Sequence, residues 1–341
     1  MKMNYQLLRK KAKLLAGRTV GFSTIANKLV SNKGNIENHH REEFIFLRLS
    51  STSRVRLVVT PNPRFLIDVK EDSLCLLDKK DNSIISTDIE LEDSVVHAPD
   101  QLFLGLYEYC KIGCKFCPLG GKRPKNLIHY SLDSIYEDIH KFQNRKYSSI
   151  GITSAIPYHL SSDDVADEMI FIVKKIREKI GKGIPIGIST RIPSTDQLAR
   201  LKEAGADEAR LNIEVPNNKL SKILMPNKSK EAIFKSLETA VQVFGVGKVS
   251  SNIILGLGEN DTDVVKQIEL LAQIGVIATL YPYDPFEKGD EFYFKRPDED
   301  RLVNLAIEHK RILEKYNLKT NQLLTMCPSC AASHIFPGKD L

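Results

Sequence analysis

"YEYCKIGCKFCPLGG" runs from Tyr107 to Gly121 and places Cys110, Cys114 and Cys117 within one short turn of chain. Three thiols this close call for a metal, and three is an unusual number. A structural zinc site closes its tetrahedron with four protein ligands. No fourth cysteine is near, and the next histidine, His129, lies outside the loop. A [4Fe–4S] cluster also takes four thiolates as a rule, so three leave one iron with an open position for a substrate or cofactor.

The surroundings of the loop decide the fold. "QLFLGLY", residues 101–107, reads as a buried strand directly before it. Strands and helices then alternate. "SSIGITS", "IPIGIST", "EARLNIEV", "KVSSNIIL" and "VIATLYP" read as strands, and a last strand is expected at "NQLLTMC". The helices between them carry apolar residues at helical spacing. One holds Ile135, Ile139 and Phe142. The next holds Val165, Met169, Ile172, Ile176 and Ile180, with Ser161 and Asp164 as a capping box and Gly181 as the stop. Sustained βα alternation means parallel strands covered by helices. No GxGxxG follows the first strand, which counts against a dinucleotide-binding sheet. The expectation is a full or partial (β/α) barrel over residues 101–341, with its chemistry at the C-terminal ends of the strands. Cys110 falls on that face.

Residues 1–100 read differently. The first 23 residues suggest an amphipathic helix rather than a signal peptide, because no apolar h-region is present. "EFIFLRLS", "RVRLVVTP", "RFLIDV" and "SLCLLD" are short, strand-like and separated by turn residues. Cys75 sits in the last of them.

Composition excludes several classes. The chain has 341 residues, 42% hydrophobic and 27% charged, as in an ordinary globular enzyme. The net charge of +6 is spread along the sequence, so no nucleic-acid partner is expected. No apolar run approaches the ~18 residues of a membrane span. Six cysteines, five of them in two clusters, point to metal in a reducing cytoplasm rather than to disulfides.

The Cys-x3-Cys-x2-Cys spacing after a first barrel strand, with Phe116 directly before the third cysteine, resembles the radical S-adenosylmethionine (SAM) superfamily. The resemblance implies a TIM-type (β/α) barrel, full or partial, and a [4Fe–4S] cluster on Cys110, Cys114 and Cys117 whose open iron chelates SAM. It implies reductive cleavage of SAM to a 5′-deoxyadenosyl radical, with electrons from a reduced ferredoxin- or flavodoxin-type donor. "LKEAGAD", "NIE" and "GLGE", in a likeness covering roughly residues 101 to 338, resemble biotin synthase and its relatives. By that resemblance Asn212 and Glu214 contact the SAM ribose, or simply sit at the barrel rim. Gly256, Gly258 and Glu259 shape the loop after the fifth strand. Thr153 and Ser154, in "GITSAIP", stand where the SAM amino group is received, without the superfamily's usual glycine pair and acidic residue.

The resemblance breaks at the sulfur-donating cluster that biotin synthase holds inside its barrel. The matching positions here are Ile152, Gly187 and Ser250, none of which is a ligand. A second cysteine group exists instead. Cys327 and Cys330 in "TMCPSCAASH" are expected just past the last strand, at the barrel mouth. A CxxC pair can ligate a cluster, bind zinc or act in redox exchange, and its place at the mouth favours a cluster. With Cys75, or with Ser333 or His334, the pair makes a candidate auxiliary [4Fe–4S] site, while Cys75 is also readable as a small buried strand residue.

Three functions are compatible with these features. One is lipoyl-synthase-like sulfur insertion, similar to the split archaeal type in which two radical SAM proteins act on an octanoylated lysine of a lipoyl carrier protein or domain. Another is radical SAM rearrangement of a carbon skeleton, as in methylornithine synthase or the hydrogenase-cofactor enzymes. The third is a zinc protein using the barrel as an interaction scaffold.

Overall fold

A computed structural model describes residues 4–31, 37–39, 42–87, 89–93, 97–107, 109–120, 131–142, 147–191, 193–284 and 294–341. The chain begins with helix α1 (Tyr5–Gly17), strand β1 (Thr19–Phe22) and helix α2 (Thr24–Ser31). Strands β2 (Glu37–His39), β3 (Glu42–Arg48), β4 (Arg54–Val59), β5 (Phe65–Lys70), β6 (Ser73–Asp78), β7 (Ser83–Ser86) and β8 (Glu90–Glu92) follow. They join β1 in one sheet of order β2-β3-β4-β1-β5-β6-β7, with β8 on β3. The small strand-rich N-terminal unit is therefore present. The sequence did not signal that β1, directly after α1, inserts parallel between β4 and β5.

After the two-residue β9 (His97–Ala98) the alternation begins. The strands are β10 (Gln101–Gly105), β11 (Ser149–Thr153), β12 (Ile186–Ser189), β13 (Glu208–Arg210), β14 (Val249–Leu255) and β15 (Val276–Pro282). The helices are α3 (Leu132–Phe142), α4 (Ser162–Ile180), α5 (Thr195–Ala204), α6 (Asn218–Leu224), α7 (Lys230–Phe244), α8 (Asp261–Gln273) and α9 (Glu299–Lys315). The six strands are all parallel and lie in chain order, so the fold is the expected α/β one, as a partial barrel.

Local chemistry explains the helix boundaries. Ser161 Oγ accepts the Asp164 N–H while Asp164 Oδ2 accepts the Ser161 N–H, which fixes the start of α4. Gly181, at φ +70°, ends it. Val165, Met169, Ile172 and Ile176 are buried against the sheet. Each such side chain contributes about 1.5–3 kcal/mol relative to exposure.

One expectation is corrected here. "NQLLTMC" is not a seventh strand. It forms a 3-10 turn (Thr320–Gln322), an irregular link and the short helix α10 (Met326–Cys330). The reason lies in what surrounds it. Buried Glu208 accepts hydrogen bonds from Leu324 N, Thr325 N and Thr325 Oγ1 at 2.7–3.1 Å. The backbone groups of this link thus bond to a side chain rather than to a neighbouring strand.

The segment fills the concave side of the sheet. A Cβ on Gly187 would collide with Thr325, and one on Gly151 would come within about 3 Å of Gln101, Phe103 and Met326. Gln101 Nε2 donates to Met326 O at 3.0 Å. The two glycines are therefore the space into which residues 325 and 326 fit. Gly151 faces the interior, and by the two-residue alternation of a strand Ile152 faces the helices. The inward position of the second strand is thus Gly151, not Ile152.

Fully buried Lys11 ties α1 to the chain's end. Its ammonium donates to Ala331 O at 2.8 Å and to Asp340 Oδ2 at 2.7 Å. Asp340 also accepts from Ser53 Oγ and Phe336 N. This satisfies the buried pair, as a charge away from water requires.

Candidate active site

The cysteine loop hangs from the C-terminal end of β10. Cys110 N donates to Leu119 O, Cys117 N to Cys114 O and Gly120 N to Cys117 O, which curls the loop on itself. Gly120 is needed there, because a Cβ would sit 2.7 Å from Cys114 O. Two bonds dock the loop on the region around α6: Lys115 N to Leu224 O, and Asn227 Nδ2 to Ile112 O. Phe116 is buried in the hydrophobic core, so it anchors the loop by packing.

The three thiols are near enough to influence one another. Burial pushes Cys114 up to about 12 and Cys117 up to about 11. Lys228 opposes the shift at both, while Glu214 and the neighbouring thiols add to it. Among the described residues no three His, Cys, Asp or Glu side chains converge as a ready-made metal site, these cysteines included. The donor set itself fits a [4Fe–4S] cluster with one free iron: three thiols on one loop and no fourth cysteine beside them. His129 lies outside the described residues.

Glu214 closes the site from the next side. Four residues past the end of β13, it has a left-handed φ of +62°. It is held there by Glu214 N to Asn252 O at 2.7 Å and Ile254 N to Glu214 O at 2.8 Å. A non-glycine residue in this region costs of order 1–3 kcal/mol and is found where function needs it. Lys228 Nζ donates to Glu214 Oε2 at 2.8 Å. Burial opposes the charge on Lys228, yet Glu214 and Cys114 hold its ammonium above the ordinary lysine value.

The other expected SAM contacts are placed less directly. Asn212 Oδ1 accepts Asn252 N at 3.2 Å, and Asn252 Oδ1 accepts Thr279 Oγ1 at 3.0 Å. These three residues link the end of β13 to its neighbours β14 and β15 along one wall of the lumen. Thr153 ends β11 and its carbonyl accepts Leu106 N. Ser154 Oγ donates to Ala155 O at 2.8 Å. Gly256 and Gly258 have φ of +109° and +103°. Buried Glu259 accepts from Gly256 N, Leu257 N and Arg301 Nη2 at 2.7–2.8 Å. Its oxygens are used in shaping the loop after β14.

The second cysteine group lies elsewhere than expected. Cys327 and Cys330 are on α10, in the opening between β10 and β15, and not past the end of a strand at the mouth. They line a small cavity with Phe103, Tyr281 and His334, and Arg56 reaches it from β4. Arg210, inward on β13, donates to Cys327 Sγ at 2.8 Å and to Ser189 Oγ at 3.2 Å. Tyr281 and Ser333 line the same cavity, and burial with Cys327 beside it pushes the Tyr281 hydroxyl up. Burial pushes the Cys330 thiol up, and Arg54 pulls it back. Cys75 does not join the pair. It is buried on β6, and β6 is three strands across the sheet from β4. At nearly 5 Å per strand that separation is too long for shared ligation.

Sequence reasoning missed Lys228, Arg210 and Tyr281. Lys228 carried no signal among 49 basic residues. Arg210 did carry one. Glu208, Arg210 and Asn212 alternate along a strand that should be buried on both faces, and polar alternation there marks a lumen.

Residues 105–271 match the family model described as Radical SAM superfamily. The biotin synthase of Leptospira biflexa is 27% identical over 187 residues, 54% of this chain and 50% of that protein. The biotin synthase of Alteromonas mediterranea is 23% identical over 240 residues, 67% of this chain and 63% of that protein. The chain thus spans about half the length of the first relative. Among solved structures, methylornithine synthase (PylB) superposes with a TM-score of 0.53 at 18% identity, covering 63% of this chain and 62% of that one. HydG, the FeFe-hydrogenase maturase of Carboxydothermus hydrogenoformans, gives 0.54 at 15% identity, covering 63% and 52%. These two likenesses show the fold. No helix among the described residues is long and apolar enough to cross a membrane. With the cysteine loop at the end of its first strand, the stretch from residue 105 to residue 271 is a radical SAM domain.

Proposed function

We propose that this protein is a radical SAM enzyme that inserts sulfur at unactivated C–H bonds, lipoyl-synthase-like, on an octanoylated lysine of a lipoyl carrier protein or domain. A second radical SAM protein and a reduced ferredoxin- or flavodoxin-type donor act with it in the cytoplasm. The observation that carries the radical SAM part is the meeting of the Cys110–Cys114–Cys117 loop with Lys228 and Glu214. Cys110, Cys114 and Cys117 would hold a [4Fe–4S] cluster, which when bound would supply the electron for reductive cleavage of SAM.

The chain's own residues do the rest. Glu214 offers a carboxylate to vicinal ribose hydroxyls, which suits two donors. Lys228 holds that carboxylate in place and offsets negative charge at the thiolates. Asn212, Asn252 and Thr279 line the lumen with groups already bonded to one another, so the wall keeps its shape. Residues 325 and 326 fill the lumen's lower part against Gly187 and Gly151.

The sulfur part of the reading is supported by the likeness to biotin synthases and by the second thiol pair beside Arg210. Thr325 and Met326 fill the space at Gly187 and Gly151, which supports a sulfur source at Cys327 and Cys330 rather than at the strand positions biotin synthase uses. Anaerobically reconstituted protein should hold about eight iron atoms, as two cubane clusters require. With SAM, dithionite and an octanoylated peptide it should form 5′-deoxyadenosine and thiolated peptide together. Zinc in place of iron would return the chain to the scaffold reading.

A second reading is favoured by the polar lumen. Arg210, Asn212, Asn252 and Thr279 suit a small polar substrate better than an aliphatic chain, and the fold matches methylornithine synthase. In that case protein-bound sulfide is unchanged after turnover, whereas sulfur insertion consumes it.

A further inference from the structure

The third donor expected for the second thiol pair, Cys75, is three strands away. Another donor is already in the cavity. His334 is 1% exposed, and neither of its ring nitrogens has a hydrogen-bond partner. Its ring stacks on Tyr281, with centroids 5.3 Å apart, and meets Phe336 edge-on. Buried polar side-chain atoms mostly find a partner, and of the two buried histidines left without one among the described residues, His309 and His334, only His334 lines a cavity with thiols. An orphaned imidazole beside two thiols is a donor set short of its acceptor.

We propose that Cys327, Cys330 and His334 are the protein ligands of a second iron–sulfur cluster, seated between the open side of the barrel and the N-terminal sheet. This deepens the reading of Cys327 and Cys330 given above and rests on it.

Four observations support it. The C-x2-C-x3-H spacing puts all three residues on one short stretch, and all three line one cavity. Met326 and Ala331 bracket the cysteines with left-handed φ of +60° and +52°. Two such non-glycine residues persist only where surrounding contacts over-determine them. Here the contacts are Gln101 on Met326 O and Lys11 on Ala331 O. Arg210 on Cys327 and Arg56 in the cavity wall place positive charge where thiolates are needed. Finally, three protein ligands leave zinc one short of a closed structural site, while a cubane accepts three and keeps one iron open. Ligation asks Cys327 to turn from Arg210, and His334 from Tyr281, toward one another.

The test uses full-length protein with Cys110, Cys114 and Cys117 all changed to Ala, reconstituted anaerobically with iron and sulfide. It should hold about four iron atoms. After dithionite reduction, pulsed EPR should show coupling to one nitrogen, and that coupling should change on 15N-histidine labelling. His334→Cys should keep about four iron atoms and lose the coupling, whereas His334→Ala should lose the iron. Repeating the comparison with the three loop cysteines restored, and without SAM, covers failure of the triple variant to fold. Coupling that survives His334→Cys, or iron without any imidazole coupling, overturns the role of His334. No iron in a triple variant that is folded by circular dichroism, or only about four iron atoms with the loop cysteines restored, or zinc at one per chain, overturns instead the reading of Cys327 and Cys330.

Discussion

Lys228 donates to Glu214 at 2.8 Å, and the pair stands against Cys114 and Cys117, joining the loop after β13 to the cysteine loop after β10. Glu214→Gln keeps the shape and removes the charge. Hydrogen bonds to a charged acceptor contribute about 1.5–3 kcal/mol, so SAM affinity should fall roughly ten-fold or more. Equilibrium binding to the reconstituted protein measures this. Unchanged affinity would leave Glu214 as a rim residue that only anchors Lys228.

Changing Cys110, Cys114 and Cys117 to Ala should abolish 5′-deoxyadenosine formation, since no other described cysteine lies on that face. The product is read by chromatography after incubation with SAM and dithionite. Residual cleavage above the metal-free background would place the reducing centre elsewhere.

Cys75→Ala should leave the iron content at its wild-type value, because β6 lies three strands from β4. Only a small loss of packing is expected from so small a change. A fall of about four iron atoms per chain would mean that the cysteine reaches a cluster after all.

Gly187→Ala drives a methyl group into Thr325, whose hydroxyl is bonded to Glu208 at 2.7 Å. Overpacking of this kind costs about 1–3 kcal/mol. The melting temperature should drop, as thermal unfolding followed by circular dichroism would read. No drop would mean that residues 325 and 326 are not wedged in the lumen.

His309 on α9 is fully buried, neither ring nitrogen has a partner, and burial lowers it to about 3. The unfolded chain binds this proton at the ordinary histidine value of about 6.5, and the folded chain does not. Stability from this group is therefore complete above about pH 6.5 and declines as pH falls toward 3, by up to about 1.4 kcal/mol per unit. His309→Gln should flatten that slope in urea titrations across the window. An unaltered slope would assign the acid sensitivity to other groups.

Much of the barrel was legible because its signals are local. The βα alternation, the capping box at Ser161 and Asp164, and the three-cysteine loop after "QLFLGLY" each depend on neighbours within a few residues. Backbone hydrogen bonding and helical or strand periodicity act over that range, so composition and spacing suffice to read them. The strands were legible where apolar runs were continuous, which is what burial on both faces of a parallel sheet demands.

The sites assembled from distant segments were decided by the tertiary structure alone. "NQLLTMC" has strand-like apolar content, yet Glu208, more than 100 residues earlier, captures its backbone N–H groups and turns it into a plug. Cys75 and the Cys327–Cys330 pair looked combinable as a list of thiols. Strand order in the N-terminal sheet keeps them apart, and a buried, unpartnered His334 stands in the cavity instead. Lys228 and Arg210 gained their places through pairings with Glu214 and Cys327, at separations of 14 and 117 residues. Sequence fixes which donors and acceptors exist. Which of them meet, and which are left buried without a partner, follows from the packing of whole elements against one another.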